Sequence, residues 1–145
     1  MVTVLAVRHA DIDLPPGSQD PELNEAGRAR ADALTHVVGR SGVSTIFTSE
    51  FARTKQTVEP SARELGLVPR PAPPAATLAR DARAGHFGDV VLVAGHSNTI
   101  PTILAALGAA SVPVIGEREF DNLFVLTTHS VDGSQLLHLR YGSQA

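Results

Sequence analysis

Three short, largely apolar runs, each followed at once by polar residues, set the pattern of this chain. They cover Val2 to Val7, Val43 to Thr48 and Val90 to Ala94. Their length and their content of β-branched residues are typical of buried β-strands. The pattern therefore predicts three core strands, each of which ends in a polar segment.

Helical spacing of apolar residues fills the intervals between these strands. One helix is predicted from the N-cap residue Asn24 to Val38. Three further helices are predicted over residues 50–65, 75–83 and 98–107. In the first of these three helices Pro60 should bend or interrupt the regular hydrogen bonding, and Gly66 should end the helix.

Three other segments complete the chain. Residues 11–22 are rich in Pro, Gly and Asp and are predicted to form an exposed loop beside the site. Residues 67–74 contain too many prolines for a central strand, so they are predicted to form an edge strand or a connector. Residues 123–128 and 135–141 alternate in polarity around Asp132-Gly133, which predicts a β-hairpin.

Strands that alternate with helices predict an α/β protein, in which three layers (α/β/α) surround a mainly parallel central sheet. The chain has 145 residues, a length that suits one domain with its own core. No internal repeat and no domain boundary is evident in the sequence. We therefore expect a single domain over residues 1–145.

Composition and charge exclude several classes of function. The formal net charge of −3 argues against nucleic acid or an anionic membrane as a partner, because these select a basic surface. The chain has no cysteine, which excludes a disulfide, a thiolate nucleophile and a cysteine metal site. No apolar run reaches the roughly 18–20 residues of a membrane span. No signal peptide is expected either, so the prediction is a cytoplasmic protein.

Basic side chains follow each of the three core strands. Arg8 and His9 come directly after the first strand, Arg53 follows the second, and His96 follows the third. In open α/β sheets the ligand crevice lies beyond the carboxyl ends of the strands, so these side chains are expected to meet at one site. Each of them taken singly could be a solvated residue at a strand end. Two guanidiniums and two imidazoles together favour phosphoryl transfer, because paired Arg donors neutralise phosphate oxygens and a neutral imidazole can attack phosphorus.

Four motifs make the sequence resemble the histidine phosphatase superfamily, whose members have the phosphoglycerate mutase-like fold. They are Val7-Arg8-His9-Ala10, Leu23-Asn24-Glu25-Ala26-Gly27-Arg28, Thr48 to Thr57, and Gly95-His96-Ser97-Asn98-Thr99-Ile100-Pro101. The resemblance implies a short, single-domain member in which His9 is the phosphorylated nucleophile. By the same resemblance the phosphate pocket is formed by Arg8, Arg53 and His96. Ser97 or Asn98 would assist at the rim of this pocket.

Some residues depart from the pattern of the family. Ala10 replaces the usual Gly, and Ile12 stands where many members have a small hydroxyl residue. Larger members supply a proton-donating Glu from the region before the last catalytic strand, but residues 66–94 contain no Glu. Asp11, two residues after the nucleophile, is therefore the candidate proton donor, with a structural loop carboxylate as the alternative.

The resemblance implies a metal-independent phosphohydrolase without a cofactor, either a phosphomonoesterase or a phosphohistidine phosphatase. Its partner would be a phosphorylated small molecule or a phosphoprotein, and inorganic phosphate would be a product. Mutases of this family enclose their intermediate with insertions for which this chain has no room. Hydrolysis is therefore the expected reaction.

Three alternatives stay open from the sequence. His9-x-Asp11-x-Asp13 has the spacing of metal ligands, so one alternative is a metal-dependent hydrolase. A second is a non-catalytic module that binds a phosphorylated ligand in the same pocket. A serine hydrolase centred on Ser97 is a weaker third, because His96-Ser97-Asn98-Thr99 lacks the second Gly of the G-x-S-x-G motif.

Overall fold

The computed structural model describes residues 1–129 and 133–143. The strands in these residues are β1 Val2–Arg8, β2 Thr45–Thr48, β3 Arg70–Pro71, β4 Val90–Gly95, β5 Asn122–Thr128 and β6 Ser134–Arg140. The helices are α1 Glu25–Val38, α2 Ala52–Leu65, α3 Ala75–Arg83 and α4 Thr99–Ala106. The predicted core strands and helices are thus confirmed, with small differences at their ends. No helix in the described part of the chain is long and apolar enough to cross a membrane.

The strands form one sheet in the order β3-β2-β4-β1-β5-β6. Strands β3, β2, β4 and β1 are parallel, while β5 and β6 extend the sheet in antiparallel pairing. The α/β class with a mainly parallel central sheet is therefore confirmed. β3 lies at one edge, as the prolines of this segment predict, and β1 lies in the interior between β4 and β5.

Alternate residues of β1 face opposite sides of the sheet, as the two-residue repeat of a strand requires. Val4 and Ala6 pack into one core with residues of α3 and α4, whereas Leu5 and Val7 pack into the other core with residues of α1 and α2. The apolar run ends at Arg8. A shift of β1 along its neighbours would draw this charge among apolar side chains, so the register is strongly specified.

Helix α1 packs directly against the loop that follows β1. The Asn24 side chain caps the helix and accepts a hydrogen bond from the Gly27 N–H at 2.9 Å. A Cβ atom on residue 27 would overlap the carbonyl oxygen of Asp11. The glycine in this motif therefore allows the first turn of α1 and the loop to approach closely.

Helix α2 and the final hairpin both contain a predicted turn or breaker residue. α2 is continuous through Pro60, which removes one backbone hydrogen bond without ending the helix. Val58 and Ala62 are buried on either side of the proline, and their packing compensates for the missing backbone hydrogen bond. The pairing of β5 with β6 confirms the hairpin, but the predicted turn residue Asp132 lies outside the described residues.

A buried ion pair joins the loop after β1 to α1 and to the residue that follows β6. The Arg30 Nε donates to Asp11 Oδ1 at 2.6 Å, and Nη2 lies 3.4 Å from Oδ2. The remaining nitrogen, Nη1, donates to the Tyr141 carbonyl at 2.8 Å. The two charged side chains are only 3% and 13% exposed. Each charge therefore depends on the other for the interactions that water would otherwise provide.

Replacement of Asp11 by Ala should lower the free energy of unfolding by about 3–5 kcal/mol, because it leaves the Arg30 guanidinium buried without its counter-charge. The matched control is Glu59→Ala, which breaks an exposed pair with Arg63 at 3.6 Å and should cost less than about 1 kcal/mol. Urea unfolding of both variants measures the difference. Equal losses would show that the Asp11 pair does not hold the loop.

Candidate active site

The site begins where β1 and β4 end side by side. Arg8 is paired with Gly95 in the parallel register, and the His9 N–H donates to the Gly95 carbonyl at 2.7 Å. His96 directly follows the end of β4, and the ring centroids of His9 and His96 are 5.3 Å apart. Parallel pairing thus brings together two histidines that are distant in sequence.

The His9 ring has one nitrogen fixed by the backbone. Its Nδ1 lies 2.8 Å from the Ala10 carbonyl oxygen, which can only accept, so Nδ1 carries the ring proton. The Ala10 N–H in turn donates to the Thr57 hydroxyl at 2.8 Å. Burial is the main cause that lowers the pKa of His9 from 6.5 to about 4, and nearby positive charges act in the same direction. At neutral pH, His9 is therefore an uncharged imidazole with its lone pair on Nε2.

The Arg8 guanidinium binds a loop and also lines the site. Its Nη1 donates to the carbonyl oxygens of Gly116, Glu117 and Glu119 at 3.2, 2.8 and 2.9 Å. Its Nε is buried and has no hydrogen-bond partner among the described residues. Arg8 therefore anchors this loop and still retains an unpaired donor.

Arg53 stands in the first turn of α2, and two of its donors are unpaired. Its Nε and Nη1 are buried and make no hydrogen bond within the described part of the chain. The guanidinium carbon lies 4.6 Å from the centre of the Phe51 ring, a cation–π contact that orients it. The Asp20 carboxylate is 3.9 Å from Nη1, too far for a hydrogen bond. Buried donors without partners are costly, so they mark a position that an anionic ligand would complete.

Two linked hydrogen bonds through side-chain hydroxyl groups fix the position of the His96 ring. Its Nε2 lies 2.8 Å from Ser49 Oγ, which lies 2.9 Å from Thr54 Oγ1. The Phe51 ring packs edge-on against the imidazole, with centroids 5.4 Å apart. Burial, followed by the charge on Arg53, lowers the pKa of His96 from 6.5 to about 4. His96 is therefore neutral at pH 7 without a ligand, and a bound anion would favour its protonation.

These side chains line an open cavity of about 450 Å³. The four basic residues expected at the site all reach it, and Ser97 and Asn98 lie on its wall. The other described lining residues are Ile12, Leu14, Pro16, Phe51, Thr99 and Glu117. The cavity thus combines a group of cationic and neutral nitrogen donors with a partly apolar wall.

Asp11 does not line this cavity. Both of its carboxylate oxygens face Arg30 instead. The structure therefore replaces the expectation that Asp11 protonates a leaving group with the alternative, a structural carboxylate of the loop. The physical reason is the buried Arg30, whose charge requires a partner that the local sequence pattern does not reveal.

The alternative metal site at His9, Asp11 and Asp13 is not assembled. Asp11 is engaged with Arg30, and the Asp13 carboxylate accepts from the Asn24 side chain at 3.1 Å. In residues 1–129 and 133–143, no group of three or more His, Cys, Asp or Glu side chains is placed to hold a metal ion. The alternative ligand set of His9, Asp11 and Asp13 is therefore not brought together in the described residues.

Glu117 is a cavity residue that the sequence reasoning missed. It lies between α4 and β5, in a segment without a clear hydrophobic period. The family's pattern directs attention to residues 66–94, where no Glu occurs. A local signal does exist, since Glu117 and Glu119 stand together shortly before the last two strands.

A family model matches the part of the chain that carries three of the four basic residues. The model describes the histidine phosphatase superfamily, branch 1, and matches residues 4–74, which include Arg8, His9 and Arg53. No curated protein sequence matches the chain.

Solved structures share the fold over nearly the whole chain. The protein histidine phosphatase SixA, complexed with tungstate, has a TM-score of 0.78 at 18% identity, covering 96% of this chain and 97% of its own. A mycobacterial glucosyl-3-phosphoglycerate phosphatase with inorganic phosphate has a TM-score of 0.71 at 18% identity, covering 99% and 98%. SixA from Agrobacterium tumefaciens has a TM-score of 0.69 at 25% identity, covering 95% and 97%. The chain thus has the phosphoglycerate mutase-like fold of SixA, and residues 4–74 match the histidine phosphatase superfamily.

Proposed function

We propose that this protein is a phosphohydrolase that transfers a phosphoryl group first to His9 and then to water. The observation that carries the proposal is the hydrogen bond from His9 Nδ1 to the Ala10 carbonyl. It fixes the tautomer in which Nε2 is unprotonated, in a cavity that Arg8 and Arg53 also line. A neutral imidazole of this kind is a nucleophile at pH 7, so the site is suited to covalent catalysis.

In the first step the Nε2 lone pair of His9 attacks phosphorus in line with the leaving group. A P–N bond forms while the bond from phosphorus to the leaving atom breaks, and that atom keeps the electron pair. The unpaired donors of Arg8 and Arg53 stabilise the charge on the equatorial oxygens, where preorganised donors act most strongly. His96, protonated in the presence of the anion, adds a further positive charge.

In the second step water attacks the phosphorus of the phosphohistidine. The P–N bond breaks, its electron pair returns to Nε2, and inorganic phosphate leaves. Nδ1 keeps its proton throughout and donates it in the hydrogen bond to the Ala10 carbonyl. His9 therefore returns to the tautomer in which it started.

The proposed reaction needs no metal ion. Arg8, Arg53 and His96 supply the positive charge that a cation would otherwise bring to the phosphoryl oxygens. Two guanidiniums in one small cavity would also repel a metal cation. We therefore expect vanadate to inhibit and chelators to have no effect.

We propose a phosphorylated small molecule or a phosphohistidine on another protein as the substrate. The cavity is open, and Ile12, Leu14 and Pro16 give part of its wall an apolar character. The names of two structural neighbours, a protein histidine phosphatase and a glucosyl-3-phosphoglycerate phosphatase, represent both substrate classes. The short chain lacks the insertions of the mutases, which supports hydrolysis as the reaction.

Rapid quenching of the protein with a radiolabelled phosphate ester should trap an acid-labile, base-stable phosphoprotein. His9→Ala should abolish the label, because it removes the only atom proposed to form the P–N bond. His86→Ala is the control, since His86 is exposed and does not line the cavity. Label that persists in His9→Ala would disprove the assignment, whereas tight phosphate binding without turnover by the native protein would favour the non-catalytic module.

In the ligand-free protein both imidazoles should stay neutral down to a pH well below the ordinary pKa of histidine. Burial disfavours the charged ring, so His9 and His96 should titrate with midpoints near pH 4. Saturating inorganic phosphate should move the His96 midpoint upward, because the anion favours the imidazolium. Proton–carbon NMR of the ring signals, assigned with His9→Ala and His96→Ala, measures both values. Midpoints near 6.5 without ligand would contradict the burial of these rings.

A further inference from the structure

Glu117 is a carboxylate on the cavity wall that the steps above do not use. Among the described residues that line this cavity it is the acidic one. We propose that Glu117 protonates the leaving group, a role that rests on the phosphohydrolase function proposed above. Without it, the cavity has no carboxyl group for this proton transfer, since Asp11 is paired with Arg30.

The backbone of Glu117 is held in place by Arg8. The Glu117 carbonyl accepts a hydrogen bond from Arg8 Nη1 at 2.8 Å, and two neighbouring carbonyls accept from the same atom. Ile115 before it and Phe120 after it are buried, and Phe120 packs against the Arg8 guanidinium at 4.2 Å. The residue that binds phosphate in the proposed reaction therefore also positions Glu117.

The Glu117 side chain, unlike that of its neighbour, is not committed to the loop. The Glu119 carboxylate accepts from the Gly116 N–H at 3.1 Å and from the Asn122 side chain at 3.2 Å. No hydrogen bond or close ion pair to a described residue holds the Glu117 carboxylate. Burial lowers the pKa of Arg8, and the charge on Glu117 is the largest interaction that opposes this lowering. The carboxylate thus lies near the phosphate site and is available to a substrate.

Two other carboxylates in this region, those of Asp20 and Asp13, are engaged elsewhere. Asp20 accepts from the first backbone N–H of α2 at 2.9 Å and lies 3.9 Å from Arg53. Asp13 accepts from the Asn24 side chain. Neither of these acidic residues lines the cavity, whereas Glu117 does.

The proton balance of the two steps fits one carboxyl group. A substrate that binds as the phosphate monoanion first gives its proton to the Glu117 carboxylate. As the P–O bond to the leaving group breaks, the departing oxygen takes this proton from Glu117 and leaves as an alcohol, while His9 Nε2 forms the P–N bond. The carboxylate then takes a proton from the water that attacks the phosphohistidine. Glu117 is protonated again when inorganic phosphate is released, so one residue acts as acid and then as base.

Glu117→Gln tests this role, because the variant keeps the size and backbone of the residue but has no acidic proton. Its kcat/KM for an alkyl phosphate such as glycerol phosphate should fall about 10²–10⁴-fold, the usual effect of general acid catalysis. Its kcat/KM for p-nitrophenyl phosphate should change far less, because nitrophenolate leaves without a proton. The ratio kcat/KM is used because it reports the steps up to phosphorylation of His9, whereas kcat also includes the hydrolysis step.

Glu50→Gln is the matched control. Glu50 is exposed and its charge acts on His96, but it does not line this cavity. Its loss should therefore change kcat/KM for both substrates by the same factor. An equal factor for both substrates in Glu117→Gln would overturn the proton-donor role, and so would native protein that hydrolyses p-nitrophenyl phosphate but no alkyl phosphate.

Failure of this role can be told apart from failure of the proposed function. Suppose that native protein forms the phosphoenzyme at His9 but that Glu117→Gln affects both substrates equally. The phosphohydrolase function then stands and the role of Glu117 is wrong. Native protein that forms no phosphoenzyme at His9 would overturn both.

Discussion

The parallel pairing of β1 with β4 is the constraint on which the site depends. The hydrogen bond that closes it, from the His9 N–H to the Gly95 carbonyl at 2.7 Å, places His9 and His96 side by side. Both strands are almost entirely buried, so a shift in their register would draw Arg8 into apolar surroundings. The packing that stabilises the sheet and the geometry of the site are therefore set by the same contacts.

Burial at the ends of these strands also gives the site its electrostatic character. It lowers the pKa of both imidazoles to about 4, while Arg53 retains two buried nitrogens without hydrogen-bond partners in the described part of the chain. The cavity is thus positively charged through its guanidiniums although its histidines are neutral. Two uncharged imidazoles and two guanidiniums therefore share one cavity. The unpaired donors lower the stability of the folded protein, and a bound anion would raise it again by pairing with them.

The regular elements and the meeting of the basic residues could be predicted because they follow from local signals. Apolar runs mark the strands, the Asn24 cap marks the start of α1, and residues after parallel strands meet at one edge of the sheet. The partner of Asp11 and the placement of Glu117 could not be predicted from the sequence, because both depend on contacts between segments far apart in the chain. A position two residues after His9 does not determine which way a carboxylate points, and the ion pair with Arg30 determines it here. Residues 109–121 have no period that would place Glu117 against Arg8.

A crystal structure of the native protein with vanadate tests the central claim most directly, since vanadate adopts the trigonal geometry of the transferred phosphoryl group. We expect vanadium bonded to His9 Nε2, with its equatorial oxygens contacted by Arg8, Arg53 and His96. The His9 Nδ1 should still donate to the Ala10 carbonyl. Vanadate bonded to Nδ1, to another side chain or outside this cavity would contradict the proposal that His9 is the nucleophile.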